Sequence, residues 1–316
     1  GNNSLGIDYN PNTNKAYVIN EKDRTVSVLD CNVPNYSPFL KYFNINTDTE
    51  HKIEASIPLD YPPFDIAVDP NTNKIYVLHQ SPLPSVSVID GNNNVKLNIS
   101  IPVGTNPLDI AVNPNTNKVY VVSLGSNTLS VINSSNEVER KIDVGKRPFS
   151  VDVNPNTNKV YVTNENSNNV LVINETKEKD NRKIIPLPYH SEDIEVNPIT
   201  NKVYVTHRLN NSISIINGIK DDSIKTIDVG KEPRSIDAGY NTKDVFVVNR
   251  GSNSLSIIDG NKDTVIKTLK IAGERPYDIE INPQIKSAYI TNIGDFGGVV
   301  NVIKYEEDED YKYIQV

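Results

Sequence analysis

A four-residue segment that recurs seven times constrains the fold more than any other feature of the sequence. Each copy has an aromatic residue, then Val or Ile, a third residue, and Asn, Ser or His. The copies begin at Tyr17, Tyr76, Tyr120, Tyr161, Tyr204, Phe246 and Tyr289. Successive copies are 59, 44, 41, 43, 42 and 43 residues apart. A period of about 40–45 residues built from short strands is typical of β-propeller blades.

Each repeat contains the alternating pattern of β-strands. In the fourth repeat, residues 148–154 predict strand A, residues 159–164 strand B and residues 170–174 strand C, with polar turns between them. No segment of ten or more residues has helical spacing. The sequence therefore predicts an all-β, seven-bladed β-propeller of four-stranded antiparallel blades, with residues 1–316 as a single domain. The first strand A starts near Ser4 and the last strand D covers Tyr311 to Val316. Blade 1 is therefore expected to pack against blade 7 without a shared strand.

Three motifs resemble those of the YVTN β-propeller family. They are the recurring segment itself, the Asn-Pro-Asn-Thr-Asn-Lys turn before it, and the Val-Gly-x-x-Pro step between blades at residues 144–148. The resemblance covers nearly the whole chain. It implies an exported, surface-layer type of protein of archaea or bacteria that binds a protein or glycan partner without catalysis. Related seven-bladed propellers include lactonases and a streptogramin lyase. A lyase or hydrolase of a small cyclic or glycosidic substrate, metal-assisted or not, therefore remains the alternative.

Composition excludes several other functions. The formal net charge of −8 and the pI near 5.1 argue against binding nucleic acid or anionic lipid through bulk charge. No apolar run approaches the ~18 residues that a membrane helix needs. The single cysteine, Cys31, excludes an internal disulfide and is expected to be an inert structural thiol. The chain has no methionine and begins at Gly1, so we expect that a leader was removed or omitted.

The first two copies of the recurring segment are 59 residues apart, whereas the later copies are 41–44 residues apart. This longer spacing predicts an insertion at about residues 31–50, between strands C and D of blade 1. It contains four aromatic residues, Tyr36, Phe39, Tyr42 and Phe43. One interpretation is a partner-binding flap with exposed rings. The other, which we favour, is an ordinary loop folded over its own blade.

Carboxylates recur on one face of the seven predicted A strands. They occupy the second or the fourth position after the proline that starts each blade. The nine residues are Asp8, Asp65, Asp109, Asp152, Asp193, Glu195, Asp237, Asp278 and Glu280. Strand A is innermost in a propeller, so these side chains are expected to line the central channel. Crowded carboxylates raise one another's pKa, and a Ca²⁺ or Mg²⁺ ion would relieve that repulsion. The other interpretation, which we favour, is that each acid binds backbone N–H groups or a basic residue of the next blade.

The D–A and B–C connections share one face of the disc, here called the rim. Cations on this face come from blades 4 to 7, and three histidines lie at blade ends. The predicted ligand-binding residues are His79, Arg147, His190, His207, Arg208, Arg234, Arg250 and Arg275, with Lys146 and Lys231 nearby. This composition favours an anionic ligand. In the enzymatic alternative, His190 or His207 acts as general acid or base beside Asp193 or Glu192. A solvated rim that balances the acidic channel is the interpretation we favour over catalysis.

Overall fold

The fold is an all-β ring of seven four-stranded antiparallel sheets, which confirms the predicted fold class. A computed structural model describes residues 4–31, 52–176, 182–239, 242–284, 286–293, 299–304 and 314–315. In every sheet the strands lie side by side in chain order, so each blade is built from one continuous segment. Helix is confined, within the described residues, to two short 3₁₀ turns at Glu165–Ser167 and Arg208–Asn210.

The strands of the first four blades match the sequence repeat closely. Blade 1 consists of Ser4–Asn10, Lys15–Asn20, Thr25–Asp30 and Lys52–Pro58. Blade 2 consists of Asp65–Asp69, Lys74–His79, Ser85–Asp90 and Val95–Pro102. Blade 3 consists of Pro107–Asn113, Lys118–Ser123, Thr128–Ile132 and Val138–Asp143. Blade 4 consists of Pro148–Asn154, Lys159–Asn164, Asn169–Asn174 and Arg182–Pro186.

The last three blades continue the same order. Blade 5 consists of Ile194–Asn197, Lys202–His207, Ser212–Asn217 and Asp222–Asp228. Blade 6 consists of Pro233–Asp237, Asp244–Asn249, Ser254–Asp259 and Thr264–Lys270. Blade 7 consists of Pro276–Asn282, Ser287–Asn292, Val299–Lys304 and Ile314–Gln315.

The core lies between blades rather than within any one of them. The aromatic residue that opens each recurring segment is at most 1% exposed. Around these rings, the β-branched residues of strands A, B and C form seven apolar clusters, each shared by neighbouring blades. A single sheet has two faces to bury, and only a closed ring covers both on every blade.

Blade 1 meets blade 7 by face packing, as the sequence predicts. Ile7 and Tyr9 of blade 1 share an apolar cluster with Tyr289 of blade 7, and Cys31 is buried in it. Hydrogen bonds also join the two blades, including one of 2.8 Å from the Gln284 Nε2 to the Pro11 carbonyl. Burial raises the pKa of the Cys31 thiol, which agrees with the expected inert role.

The A–B turns account for much of the asparagine in the sequence. An asparagine precedes the strand-B lysine in five of these turns, and each has a φ of 52–54° in the left-handed region that Asn tolerates; they are Asn14, Asn73, Asn117, Asn158 and Asn201. These turns also bind one another, as when Asn113 Nδ2 donates to Asn158 Oδ1 at 2.8 Å. The turn residues thus link neighbouring blades on the face opposite the rim.

The predicted insertion and its four aromatic residues lie outside the described residues, apart from Cys31. Within the described ranges, no helix is both long and apolar enough to cross a membrane.

Candidate functional site

The central channel is lined by the seven A strands and has a cavity volume of about 250 Å³. Each A strand is a short alternating segment that buries its Ile or Val against a neighbouring blade, so the polar positions on either side turn towards the axis. All nine acids singled out in the sequence line this cavity. Pro11, Pro70 and the equivalent prolines of the A–B turns line it as well, so the channel extends towards the face opposite the rim.

Every junction between blades is bridged by one strand-A aspartate. Its carboxylate accepts the backbone N–H of a strand-A residue in the next blade, and the last bond closes the ring. The donor–acceptor pairs are Val68 to Asp8 at 2.6 Å, Ile110 to Asp65 at 3.2 Å, Val151 to Asp109 at 2.7 Å, Val196 to Asp152 at 2.7 Å, Ile236 to Asp193 at 3.0 Å, Ile281 to Asp237 at 2.5 Å and Ile7 to Asp278 at 3.0 Å. This pattern explains why an acid is present at the second or the fourth position of every blade. One carboxylate per junction satisfies a strand-A N–H that faces the channel.

Burial in the channel raises the pKa of these carboxyls. Desolvation is the largest cause, and neighbouring carboxylates add to it, whereas the bonds from backbone N–H groups act against it. The pKa is raised to about 8 for Asp152, to about 7 for Asp8, Asp193 and Asp237, and to about 6 for Asp278. Asp65, Glu195 and Glu280 also have a pKa well above the ordinary value. Several channel carboxyls, of which Asp152 is the clearest case, are therefore partly protonated near neutral pH.

The channel aspartates already serve as hydrogen-bond acceptors for the backbone of the next blade. Among the described residues, no group of three or more His, Cys, Asp or Glu is arranged to hold a metal ion. Each aspartate already gives an oxygen to a backbone N–H, which leaves fewer oxygens for the 6–8 ligands that Ca²⁺ takes. For the seven aspartates, the geometry therefore agrees with the favoured interpretation, in which these acids bind the backbone of the next blade. The Ca²⁺ or Mg²⁺ ion stays a prediction.

Two of the predicted rim histidines are buried inside their blades. His79 and His207 are 0% exposed. His207 Nδ1 lies 3.0 Å from the His190 carbonyl and its Nε2 2.7 Å from Ser214 Oγ. His79 repeats this arrangement in blade 2 with the Pro62 carbonyl at 3.0 Å and Ser87 Oγ at 2.9 Å.

These two histidines take the place of the asparagine that ends strand B in four of the other blades. Asn20 Nδ2, for example, reaches Ser27 Oγ on strand C at 2.9 Å. Burial lowers the pKa of both His79 and His207, so both rings are neutral at pH 7. Both ring nitrogens of each histidine are engaged, and the side chains are enclosed. The structure therefore places both imidazole rings inside their blades, not on the solvent-facing rim where the sequence analysis expected them.

His190 is exposed at the rim, but its ring does not meet that of His207. Its Nδ1 lies 3.2 Å from the Glu165 carbonyl, so the two histidines meet only through the His190 backbone. Asp193 lies in the channel rather than beside the imidazole. His190, His207 and Asp193 lie at the same end of blade 5, as the sequence predicts. Their side chains point in different directions, so their reactive groups do not meet.

The arginines are at the rim as expected, and three of them are paired. The D–A and B–C connections bind each other there, for instance by a 2.9 Å bond from the Glu165 N–H to the Arg147 carbonyl. Arg147 Nε also donates to Glu165 Oε2 at 2.9 Å. Glu192 pairs with Arg208 and, at 3.6 Å, with Arg234. In the described part of the chain, Arg250 and Arg275 form no ion pair through their side chains.

A second cavity of about 90 Å³ lies at the rim end of the channel. We call it the mouth pocket, and its lining residues are Phe64, Asp65, Leu108, Asp109, Phe149, Ser150, Asp193, Arg234, Ser235, Tyr277 and Asp278. Most of its apolar residues directly follow a blade-start proline, a position that the sequence analysis aligned but did not use. The aspartates at its floor are shared with the central channel.

The Arg234 guanidinium lies over two aromatic rings within the mouth pocket. Its guanidinium carbon is 4.6 Å from the centroid of the Tyr277 ring and 5.6 Å from that of Phe149. Its Nη2 donates to the Tyr277 hydroxyl at 2.9 Å. Tyr277 and Glu192 raise the pKa of Arg234 despite its burial, so the group is a permanent cation.

The fold and this channel define the protein as a seven-bladed β-propeller with an acidic axis and a cationic rim. The family model described as Lactonase, 7-bladed beta-propeller matches residues 135–281. No curated protein sequence matches the chain.

Among solved structures, streptogramin B lyase is similar with a TM-score of 0.73 and 15% identity, covering 95% of this chain and 93% of that one. Hydrazine synthase of Kuenenia stuttgartiensis is similar with a TM-score of 0.64 and 19% identity, covering 77% of this chain and 76% of that one. At these identities the similarity establishes the propeller fold.

Proposed function

We propose that this propeller is a non-catalytic binding module of an exported or cell-surface protein, and that it binds an anionic protein or glycan partner at the rim. The observation that carries the proposal is the contrast between histidines and arginines. His79 and His207 are enclosed and used for internal hydrogen bonds, whereas the arginines of blades 4 to 7 remain at the rim. The rim therefore offers cationic recognition groups, and in the described part of the chain His190 and His207 do not meet as an acid–base pair.

The blade architecture supports a scaffold role. Each junction repeats the same aspartate bond and the same apolar packing, so stability is distributed around the ring and the connecting loops are free to vary. The resemblance to YVTN propellers supports a location outside the cell. The single buried cysteine requires no particular redox compartment.

The binding proposal can be tested with a glycan and peptide array. The probe is the purified chain, compared with a variant that carries Arg208→Ala, Arg250→Ala and Arg275→Ala together. We expect the wild type to bind anionic ligands in a salt-sensitive manner and the triple variant to lose most of that signal. Equal signals from the two proteins would exclude these arginines as binding determinants.

The second candidate is a hydrolase or lyase of a small cyclic substrate. Two observations favour it, namely the match of residues 135–281 to the Lactonase family model and the channel carboxyls that titrate near neutral pH. Asp193, whose pKa is raised to about 7 mainly by burial, is the carboxyl of the mouth pocket best suited to act as general acid or base near pH 7.

A panel of γ- and δ-lactones, followed by proton release, tests this candidate. Turnover that disappears in Asp193→Asn but survives in the triple arginine variant would support the enzyme. Absence of turnover across the panel, in protein that binds anionic ligands, would favour the binding module.

A further inference from the structure

We propose that the mouth pocket recognises one hexuronate residue of an acidic glycan, with Arg234 binding the sugar carboxylate. The inference rests on the proposed function, because it names the ligand of the same rim. It is carried by three features of the mouth pocket: a fixed cation, apolar walls and a floor of carboxyl groups.

The cation is Arg234, and it is fixed before any ligand arrives. Two aromatic rings and the Tyr277 hydroxyl set the plane of its guanidinium. Among the described residues, the Tyr277 hydroxyl is the only hydrogen-bond partner of its five N–H groups, and Glu192 adds an ion pair to Nη1 at 3.6 Å, beyond hydrogen-bond distance. A planar fork with free donors matches a carboxylate, and its prior ordering lowers the entropic cost of binding.

The walls are apolar and come from blades 2, 3, 4 and 7. Phe64, Leu108 and Phe149 are partly buried around the opening, and Tyr277 adds a further ring. The C–H faces of a pyranose ring can pack on such surfaces. Water displaced from these walls would also strengthen the ion pair at Arg234, because the local dielectric falls.

The floor distinguishes a sugar acid from other anions. Asp65, Asp109, Asp193 and Asp278 present carboxyl oxygens that accept hydrogen bonds from ligand hydroxyl groups. Any negative charge that these groups retain repels a dianion such as a phosphate monoester more strongly than a single carboxylate. A single carboxylate with several hydroxyl groups on one ring satisfies both conditions. A peptide carboxylate supplies the anion but not the hydroxyl groups, and a cavity of about 90 Å³ accepts one ring end rather than a loop.

Calorimetric titration with trigalacturonate, galactotriose and an acetylated Asp–Glu dipeptide tests the inference. The proteins are the wild type, Arg234→Gln, Arg234→Lys and the matched control Arg182→Gln, which removes one cation from the outer strand of blade 4. We expect wild type and Arg182→Gln to prefer trigalacturonate. Arg234→Gln should bind it about 10- to 100-fold more weakly, and Arg234→Lys should lie between.

The outcomes separate this inference from the proposed function. Equal binding of trigalacturonate and galactotriose by the wild type, or a preference for the dipeptide, overturns the hexuronate assignment without needing any variant. Unchanged affinity in Arg234→Gln, with an unchanged melting temperature, overturns the role of Arg234. If the triple rim variant then still loses anion binding, the proposed function stands while this inference fails. If the wild type binds no anionic ligand at all, both fail.

Discussion

The raised pKa values in the channel predict that the protein loses stability as the pH rises through neutrality. A carboxyl whose folded-state pKa lies above its unfolded value of about 3.9 holds a proton that the unfolded chain releases. Its stabilising contribution is complete below the unfolded pKa and disappears as the pH rises through the folded pKa. Asp152, with a pKa raised to about 8 mainly by burial, is the clearest case.

The magnitude follows from the linkage between proton binding and folding. Between pH 6.5 and pH 8, a group with a folded pKa of about 8 loses about 1.6 kcal/mol of unfolding free energy, and a group near 7 loses about 0.8 kcal/mol. Asp8, Asp193 and Asp237 belong to the second class. These figures are upper limits, because neighbouring carboxyls share protons.

The assay is urea denaturation at several pH values between 6.5 and 8 at constant ionic strength. This window avoids His79 and His207, whose lowered pKa values cost stability only as the pH falls below about 6.5. Asp152→Asn keeps an acceptor for the Val196 N–H but cannot titrate, so its profile should be flatter by about 1.6 kcal/mol. The exposed Asp228→Asn is the control. A wild-type profile that is level across the window, or an Asp152→Asn profile as steep as that of the wild type, would refute the reasoning.

Three other predictions concern a glycine, a histidine and the channel. Gly145→Ala should lower the unfolding free energy by about 1–3 kcal/mol, because an added Cβ would lie 2.4 Å from Asn164 Cγ; an unchanged urea midpoint would contradict this. His207→Ala should cost about 1–3 kcal/mol because it removes the buried contacts of the imidazole with Ser214 Oγ and the His190 carbonyl, whereas His207→Asn should retain most of the stability in thermal melts; equal melting temperatures for the two variants would contradict the structural role. If a Ca²⁺ or Mg²⁺ ion occupies the channel, elemental analysis after dialysis should find it and EDTA should lower the melting temperature. No retained metal and no shift would remove that prediction.

Much of the architecture was predictable because each feature of the repeat concerns residues that are close together in the sequence. A short alternating strand, an Asn-rich turn and a fixed period each act within one blade, so the recurring segment at Tyr17, Tyr161 and the equivalent positions was enough to give the strand order. The alignment of strand A also identified the acids that line the channel. Their alternation between the second and fourth positions was visible in the sequence, but the reason for it was not.

The chemistry of the site depended on the directions of side chains, which the spacing of residues along the sequence does not determine. His190 and His207 end at the same blade tip, yet one ring is exposed and the other is enclosed between strands. The substitution of His207 for the usual asparagine could have indicated a structural role, since both residues can donate to strand C. Arg234 was predicted as a rim cation, but its contacts with Phe149 and Tyr277 join residues from three blades.

The sequence by itself thus determined the blade, the number of blades and which residues face the axis, because these follow from periodicity along one strand. Only the tertiary structure decided which carboxylate binds which neighbouring N–H, which histidines are enclosed and how the mouth pocket is assembled. The carboxylate bonds and the mouth pocket cross blade boundaries over 40 or more residues of chain, as between Asp152 and Val196, so their geometry exists only once the ring has closed. The histidines are enclosed by contacts between strands and connections of one blade, which depend on side-chain direction.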